Sequence, residues 1–261
     1  MRKLLRIENE RHERIVSLYN DGKTTREIAN NVKMSQRGVR YVLNRYGVQL
    51  RGKRRTNGHR INEDFFKQWS AEMAYVLGFI YTDGNINGNT FSISQKERHI
   101  LDKINNVMES TYKIRKRDNG KSKLYTLYVH RQEMVADLRN LGVVEGKSRI
   151  MTFPNVPDEY LPHFIRGIID GDGWVHDRGY VMNVTNASRL FSTTLHDTFN
   201  RRGLNGRITE QNNAYRVWVS GKQDVINLAD WIYRDCGDLC LHRKRERFYV
   251  NKKTPNKKEA S

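Results

Sequence analysis

Two segments of this chain share one pattern: VLGFIYTDG, from Val76 to Gly84, and IRGIIDGDG, from Ile165 to Gly173, 89 positions apart. Each runs through apolar and small residues and ends in an aspartate followed by glycine. An apolar run ending in Asp-Gly reads as a helix whose last turn delivers a carboxylate just before a glycine C-cap. Two copies at this spacing imply two similar units related by a pseudo-two-fold axis. Paired about that axis, the helices set Asp83 beside Asp172. Ala74 and Gly78 in the first helix, and Gly167 and Gly171 in the second, give each a strip of small residues along which backbones can approach closely.

Two carboxylates meeting at two negative helix ends repel unless a cation sits between them. A hard, oxygen-seeking cation, magnesium first among them, is implied by that charge arrangement. On the residues alone a plainer reading stands beside it, a pair of glycine-rich core helices with solvated caps.

At their glycine, their apolar positions and their terminal Asp-Gly, both segments resemble the motif of the LAGLIDADG homing endonucleases, and the resemblance covers most of the chain after residue 70. It implies an α+β fold, a pseudo-two-fold pair of αββαββα units forming a saddle of antiparallel sheets. It also implies that Asp83 and Asp172 hold two or three magnesium ions that cleave DNA, with Gly84 and Gly173 beside them at the metal site. The sixth motif position departs from symmetry, Tyr81 in the first copy and Asp170 in the second. Arg166, next to Gly167, is about 100° around the helix and can point away from the crossing. Basic residues beside the metal complete such a centre. The candidates are Arg131 and Lys222, at equivalent places where the last strand of each half meets its helix, with surface charge as the equal alternative. Lys147 and the closing stretch LHRKRERF, with Arg243 and Lys244, are also typical of the resembled family and are read as phosphate contacts.

Composition bounds the partner independently. Lys and Arg number 47 against 29 Asp and Glu, a formal charge of +18. Excess cation gives sequence-independent, salt-sensitive affinity for phosphate backbones. Hydrophobic residues make up 37% and aromatics 10%, enough for packed cores and against a wholly disordered basic chain. No run approaches the ~18 apolar residues of a membrane helix, and the first residues lack a signal-peptide core. The expected location is intracellular and nucleoid-associated, with a phage or intron origin; an intein origin is not expected, because no splicing block is evident. Cys236 and Cys240 with His242 lack an evident fourth zinc ligand and read as reduced structural thiols. Gly146-Lys147-Ser148 is no phosphate-binding loop, since Leu141 stands where the first glycine is required.

Residues 1–50 read as a separate unit with helices near Glu8–Asn20, Thr25–Asn31 and Ser35–Tyr46. The segment DGKTTREIANNVKMSQRGVRYVLNRYG resembles the helix-turn-helix of resolvase- and invertase-type DNA-binding domains. That resemblance puts the third helix in the major groove, with Gln36, Arg37, Arg40, Tyr41 and Asn44 as contacts. Gly38 inside that helix costs about 1 kcal/mol relative to alanine. Residues 51–64 read as a basic linker whose Arg51, Lys53, Arg54 and Arg55 follow phosphates. Residues 65–148 and 149–250 are the two halves, and 251–261 a disordered basic tail.

Within each half the order is helix, strand pair, helix, strand pair, helix. The strands Tyr112–Arg117, Lys123–His130, Arg207–Gln211 and Ala214–Ser220 supply Arg115, Arg117, Lys123, Tyr125 and Tyr128, then Arg207, Thr209, Gln211, Tyr215, Arg216 and Trp218, to a groove-reading surface. Period-two arithmetic divides these between two faces, and either Trp218 or Val217 belongs to the core. The leading function is a site-specific double-strand DNA endonuclease acting as a monomer on a long, asymmetric target. A non-cleaving regulator of the same architecture and an intron RNA maturase are the alternatives.

Overall fold

The computed structural model describes residues 2–48, 50, 58–118, 120, 122–146 and 150–253. Arg51, Lys53, Arg54, Arg55 and Lys147, and the tail from 254, lie outside the described residues. The chain divides into two units between Gly58 and His59.

In the first unit α1 (Arg2–Asn20), α2 (Thr25–Asn31) and α3 (Gln36–Arg45) form a three-helix core. The backbone of α1 starts earlier than the apolar periodicity suggests. Thr24 and Glu27 make a reciprocal capping box at α2, and Ser35 accepts from Gly38 N at the start of α3, satisfying otherwise orphaned amides. Ile15, Tyr19, Ile28, Ala29, Val39, Val42 and Leu43 bury themselves against one another. This leaves Gln36, Arg37, Arg40, Tyr41 and Asn44 exposed on the outer face of α3.

The second unit is built on two crossed helices, α4 (Ala71–Asp83) and α7 (Leu161–Asp172). After α4 come β1 (Gly84–Asn87), β2 (Thr90–Gln95), α5 (Arg98–Val107), β3 (Ile114–Asp118), β4 (Lys123–His130) and α6 (Gln132–Asn140). After α7 the same order returns as β5 (Gly173–Val175), β6 (Val181–Asn186), α8 (Arg189–Arg201), β7 (Gly206–Gln211), β8 (Ala214–Ser220) and α9 (Lys222–Tyr233), with one further helix, α10 (His242–Phe248). The strands make two antiparallel sheets of four, ordered β1-β2-β4-β3 and β5-β6-β8-β7. This is the expected α+β pseudo-two-fold architecture. One apolar core, from Phe65 to Phe248, runs through both halves.

The crossing shows why these glycines are required. A Cβ on Gly78 would stand 2.2 Å from the Phe164 carbonyl oxygen, and one on Gly167 would stand 2.2 Å from that of Tyr75. Tyr75 and Phe164 are themselves 89 positions apart, so the two contacts are one contact seen twice about the pseudo-axis. Nearer the helix ends, a Cβ on Gly171 would overlap Thr82 Oγ1. No side chain fits between the two backbones.

Three expectations are corrected. Gly84 and Gly173 are not left-handed caps: φ is −92° and −72°, and both lead straight into β1 and β5. They are glycine because a Cβ would strike Ile80 O at 2.5 Å and Ile169 O at 2.4 Å. Residues 59–64 are packed rather than linker, with His59 stacked on Tyr112 and Asn62 N bonded to Met108 O. Residues 250–253 form a 3-10 turn held by Asn251 on the Arg178 and Gly179 carbonyls, so the ordered chain runs past 251.

Gly78→Ala and Gly167→Ala should each destabilise the second unit by roughly 3 kcal/mol, at the upper end of overpacking costs, because the added methyl meets backbone that cannot rotate away. Urea denaturation measures this, and a loss below ~1 kcal/mol for both would mean the helices are not in backbone contact.

Candidate acidic centre and nucleic-acid interface

Because Thr82 and Gly171 touch, the residues that follow them, Asp83 and Asp172, end their helices side by side. Asp83 is half-buried and accepts a 2.8 Å hydrogen bond from Gln95 Nε2 at the end of β2. Asp172 is exposed. A third group completes the centre from far along the chain. Lys244, on α10, is buried and donates through Nζ to the carbonyls of Ile169, Asp170 and Gly171 at 2.8, 2.7 and 3.0 Å, capping α7. Burial pulls its pKa down to about 8, against the opposing attraction of Asp170, Asp83 and Asp172.

Lys244 attracts both carboxylates while its ammonium bonds the α7 carbonyls, and it is not the exposed phosphate contact expected of it. Its neighbour Arg243 pairs with Glu97 at 2.9 Å, tying α10 to the start of α5 in the other half.

Arg131 and Lys222 do not flank the carboxylates. Asp83 precedes Gly84, which pairs with Ile93, whereas Arg131 follows His130, which pairs with Thr90; the second half repeats this, with Gly173 on Val184 and Ser220 on Val181. Both basic residues thus stand at the far end of their sheets, roughly 10 Å along the strand. Arg131 is engaged there by Glu63, Tyr112 OH and the His130 carbonyl, and Lys222 is exposed at the start of α9. The pairing of strand end with helix start looked equivalent to a site position in sequence, but register puts it at the opposite edge.

The sixth motif positions take unequal roles. Tyr81 is buried and donates to the Leu141 carbonyl at 2.7 Å. Asp170 is fully buried and accepts from Tyr75 OH, Tyr233 OH and Leu241 N at 3.0, 3.2 and 2.8 Å. Burial lifts its pKa to about 6, opposed first by the Leu241 amide and Lys244. Arg166 leaves the crossing, as its position allows, but into the interior. It bonds the Leu239 and Ile232 carbonyls at 3.1 and 2.8 Å and lies over the Tyr75 ring. Asp170 is therefore a structural node, and neither half uses its sixth position at the acidic centre.

The sheets turn one face to the helices and leave the other open. Ile86, Phe91, Ile93, Leu127 and Val129 share the inner face of the first sheet, and Val175, Met182, Val184, Val217 and Val219 that of the second. By the same parity the open faces carry Asn85, Ser92, Ser94, Arg115, Arg117 and Tyr128, and then Trp174, Asn183, Thr185, Arg207, Thr209, Gln211, Arg216 and Trp218. The Val217 or Trp218 ambiguity resolves with valine inside. Lys123, Tyr125 and Tyr215 fall on the helix-side parity, so they leave the predicted reading surface; Lys123 sits at the hairpin end opposite Asp118. The sequence shows strands at Thr90–Ser94 and Tyr180–Thr185, overlapping β2 and β6, but only the second strand pair of each half was assigned to the reading surface; residues of β1 and β5 were missed because those strands have four and three residues and follow the motif helices without a turn signal.

The open faces are also internally braced. Arg216 donates to Gln211 at 2.9 Å, Trp218 Nε1 to Thr209 Oγ1 at 2.8 Å, and Arg115 lies over Tyr128.

Crossed helices ending in paired aspartates beneath two open antiparallel sheets define the LAGLIDADG-like class, and comparison with known families agrees. Residues 72–156 match the WhiA LAGLIDADG-like domain and residues 159–233 the LAGLIDADG-like domain, so the chain carries two such domains in tandem. Among solved structures it is similar to the homing endonuclease I-WcaI bound to its DNA recognition sequence, at 13% identity and a TM-score of 0.52, covering 78% of this chain and 96% of that one. At this identity the likeness shows the fold. Curated relatives include the probable cell division protein WhiA of Clostridium acetobutylicum, 26% identical over 104 residues, 36% of this chain and 33% of that protein. The DNA-directed RNA polymerase subunit Rpo1C of Methanocaldococcus jannaschii is 25% identical over 152 residues, 57% of this chain and 17% of that protein. The chain thus spans a third or less of the length of these relatives. Among the described residues no helix is long and apolar enough to cross a membrane.

Asp170→Asn should cost about 3 kcal/mol of stability, because the amide keeps the shape but turns its NH2 toward the donors on one side, either Tyr233 OH or the Tyr75 OH and Leu241 N pair. Thermal unfolding followed by circular dichroism tests this, and a change under ~1 kcal/mol would show that the node is dispensable.

Proposed function

We propose that the protein is a site-specific double-strand DNA endonuclease acting as a monomer. Its duplex target is long and asymmetric, and Asp83 and Asp172 hold the divalent metal. The observation that carries this reading is the adjacent pair of helix-terminal carboxylates at the border of two open, Arg-bearing sheet faces. A protein that only bound DNA would have no use for two like charges facing the phosphate backbone.

The donor chemistry suits magnesium. Two carboxylates are hard oxygen donors, and among the described residues no third His, Cys, Asp or Glu gathers with them, which leaves the remaining positions of such an ion for water and phosphate oxygen. Bound there, the metal supplies Lewis acidity to the phosphate and acidifies a bound water. The protein's own groups do the rest. Gln95 fixes the orientation of Asp83, Lys244 lowers the repulsion between the carboxylates, and Arg115, Arg117, Arg207 and Arg216 seat the duplex. Gln36, Arg37, Arg40, Tyr41 and Asn44 on α3 extend the target through a second groove contact.

A second reading is a DNA-binding regulator that does not cut. It is favoured by the WhiA-type match of the first half and by Lys244, which stabilises the carboxylate pair without any ion.

Incubation with a randomised plasmid library, with magnesium and with chelator, separates the two. Discrete magnesium-dependent breaks are expected, lost in Asp83→Asn and Asp172→Asn while duplex binding persists within about fivefold, since one charge contributes no more than ~1 kcal/mol to an exposed contact. Tight binding without breaks under any divalent ion would favour the regulator. Arg37→Ala in the full chain should weaken binding to a selected duplex by roughly 1–3 kcal/mol and relax preference at one base pair. Unchanged affinity and salt slope would remove α3 from the interface.

A further inference from the structure

The two open faces are not equivalent in the row that lies just beyond the acidic centre. Register aligns Asn85, Ser92 and Tyr128 across β1, β2 and β4, and Trp174, Asn183 and Trp218 across β5, β6 and β8. Asn85 and Trp174 are related by the same offset of 89 that relates the motifs. The first row is small and polar toward the centre, whereas the second places an indole there, two residues or about 7 Å of strand beyond Asp172.

Trp174 is 46% exposed, although a tryptophan on a sheet ordinarily buries its ring. It is held edge-on against His176, with ring centroids 5.6 Å apart. Trp218 has its N–H engaged by Thr209, so it offers only ring. Between them in register, Asn183 is only 8% exposed. Its side-chain oxygen accepts a long 3.4 Å bond from Thr185, and its amide nitrogen donates to nothing among the described residues. The amide nitrogen keeps solvent contact on the open face between the two rings, where a ligand atom can take the place of water.

We infer that this row reads one A·T base pair. In the major groove adenine offers an acceptor at N7 and a donor at N6, which match the amide nitrogen and oxygen of Asn183, and thymine offers a 5-methyl group, which matches the Trp174 ring. A G·C pair fails on both counts, since guanine presents two acceptors and cytosine has no methyl. The charge of the same face suits the occupant, with Arg207 and Arg216 beside the row. The half-site read by the second sheet therefore requires an A·T pair close to the acidic centre, and the half-site read by the first sheet does not. This rests on the reading that the open faces hold duplex DNA, and not on cleavage.

The test uses the full chain, a randomised duplex pool and chelator throughout, so that binding alone is selected. Thymines of the enriched duplex are then replaced singly by deoxyuridine, which removes only the methyl. Wild type should lose about fourfold in affinity at one thymine, the equivalent of ~0.8 kcal/mol for one apolar carbon. Trp174→Asn, which copies the related position of the first sheet, should be indifferent to that replacement. Asn183→Ala should lose at least about fivefold of the A·T over G·C preference at the same pair. An enriched duplex that tolerates deoxyuridine everywhere, or a Trp174→Asn protein that remains equally sensitive, overturns the inference and leaves the DNA reading intact. Failure to enrich any duplex overturns both.

Discussion

Everything in the second unit depends on the backbone contact between α4 and α7. Gly78 and Gly167 each sit against the other helix's carbonyl, so the crossing point is set by main chain rather than by the packing of larger side chains. Fixing that point fixes where each helix ends, and the ends carry Asp83 and Asp172. Because Gly84 and Gly173 turn directly into β1 and β5, the same contact also sets where each sheet begins. Acidic centre and open faces thus share one mechanical origin, and neither can shift without the other.

A reciprocal contact does not require identical surroundings. Tyr81 answers the first half's need with a neutral hydroxyl on Leu141 O, while the second half buries the Asp170 carboxylate and must supply partners for it. Tyr75, Tyr233 and the Leu241 amide bond it, and Arg166 and Lys244 lie near enough to favour its charge. Such buried networks hold only when every member is satisfied. The consequence lies one residue further on, where Lys244 closes the last carbonyls of α7 and steadies the helix end that bears Asp172. The structural node of the second half and the acidic centre share one lysine.

The motif repeat was readable because its information is local: apolar spacing, small residues four apart and a terminal acid all lie within one helix. The three N-terminal helices were readable for the same reason, through Ser35 and their apolar stripes. What the sequence concealed was long-range. Nothing near Lys244 indicates that it folds back onto carbonyls some 75 positions earlier, and a run of Arg, Lys and His reads as surface by default. Arg131 and Lys222 looked equivalent to one another, and they are, but strand register places them at the wrong edge. The face each strand residue takes depends on pairing partners, so Lys123 and Arg117, close in sequence, separate onto opposite sides. The exposed indole of Trp174 was hidden by a strand of only three residues.

The closure of α7 by Lys244 has a bearing on how the chain is made. Both aspartates are synthesised long before α10, and a nascent chain ending near Cys240 already contains the residues of all eight strands. It still lacks the Leu241 amide that holds Asp170 and the ammonium that caps the helix. A polypeptide abandoned at that stage carries a buried acid short of its partners and a frayed end where Asp172 should be held. Synthesis itself thus orders assembly, so that the acidic centre is completed only after the strands of both sheets.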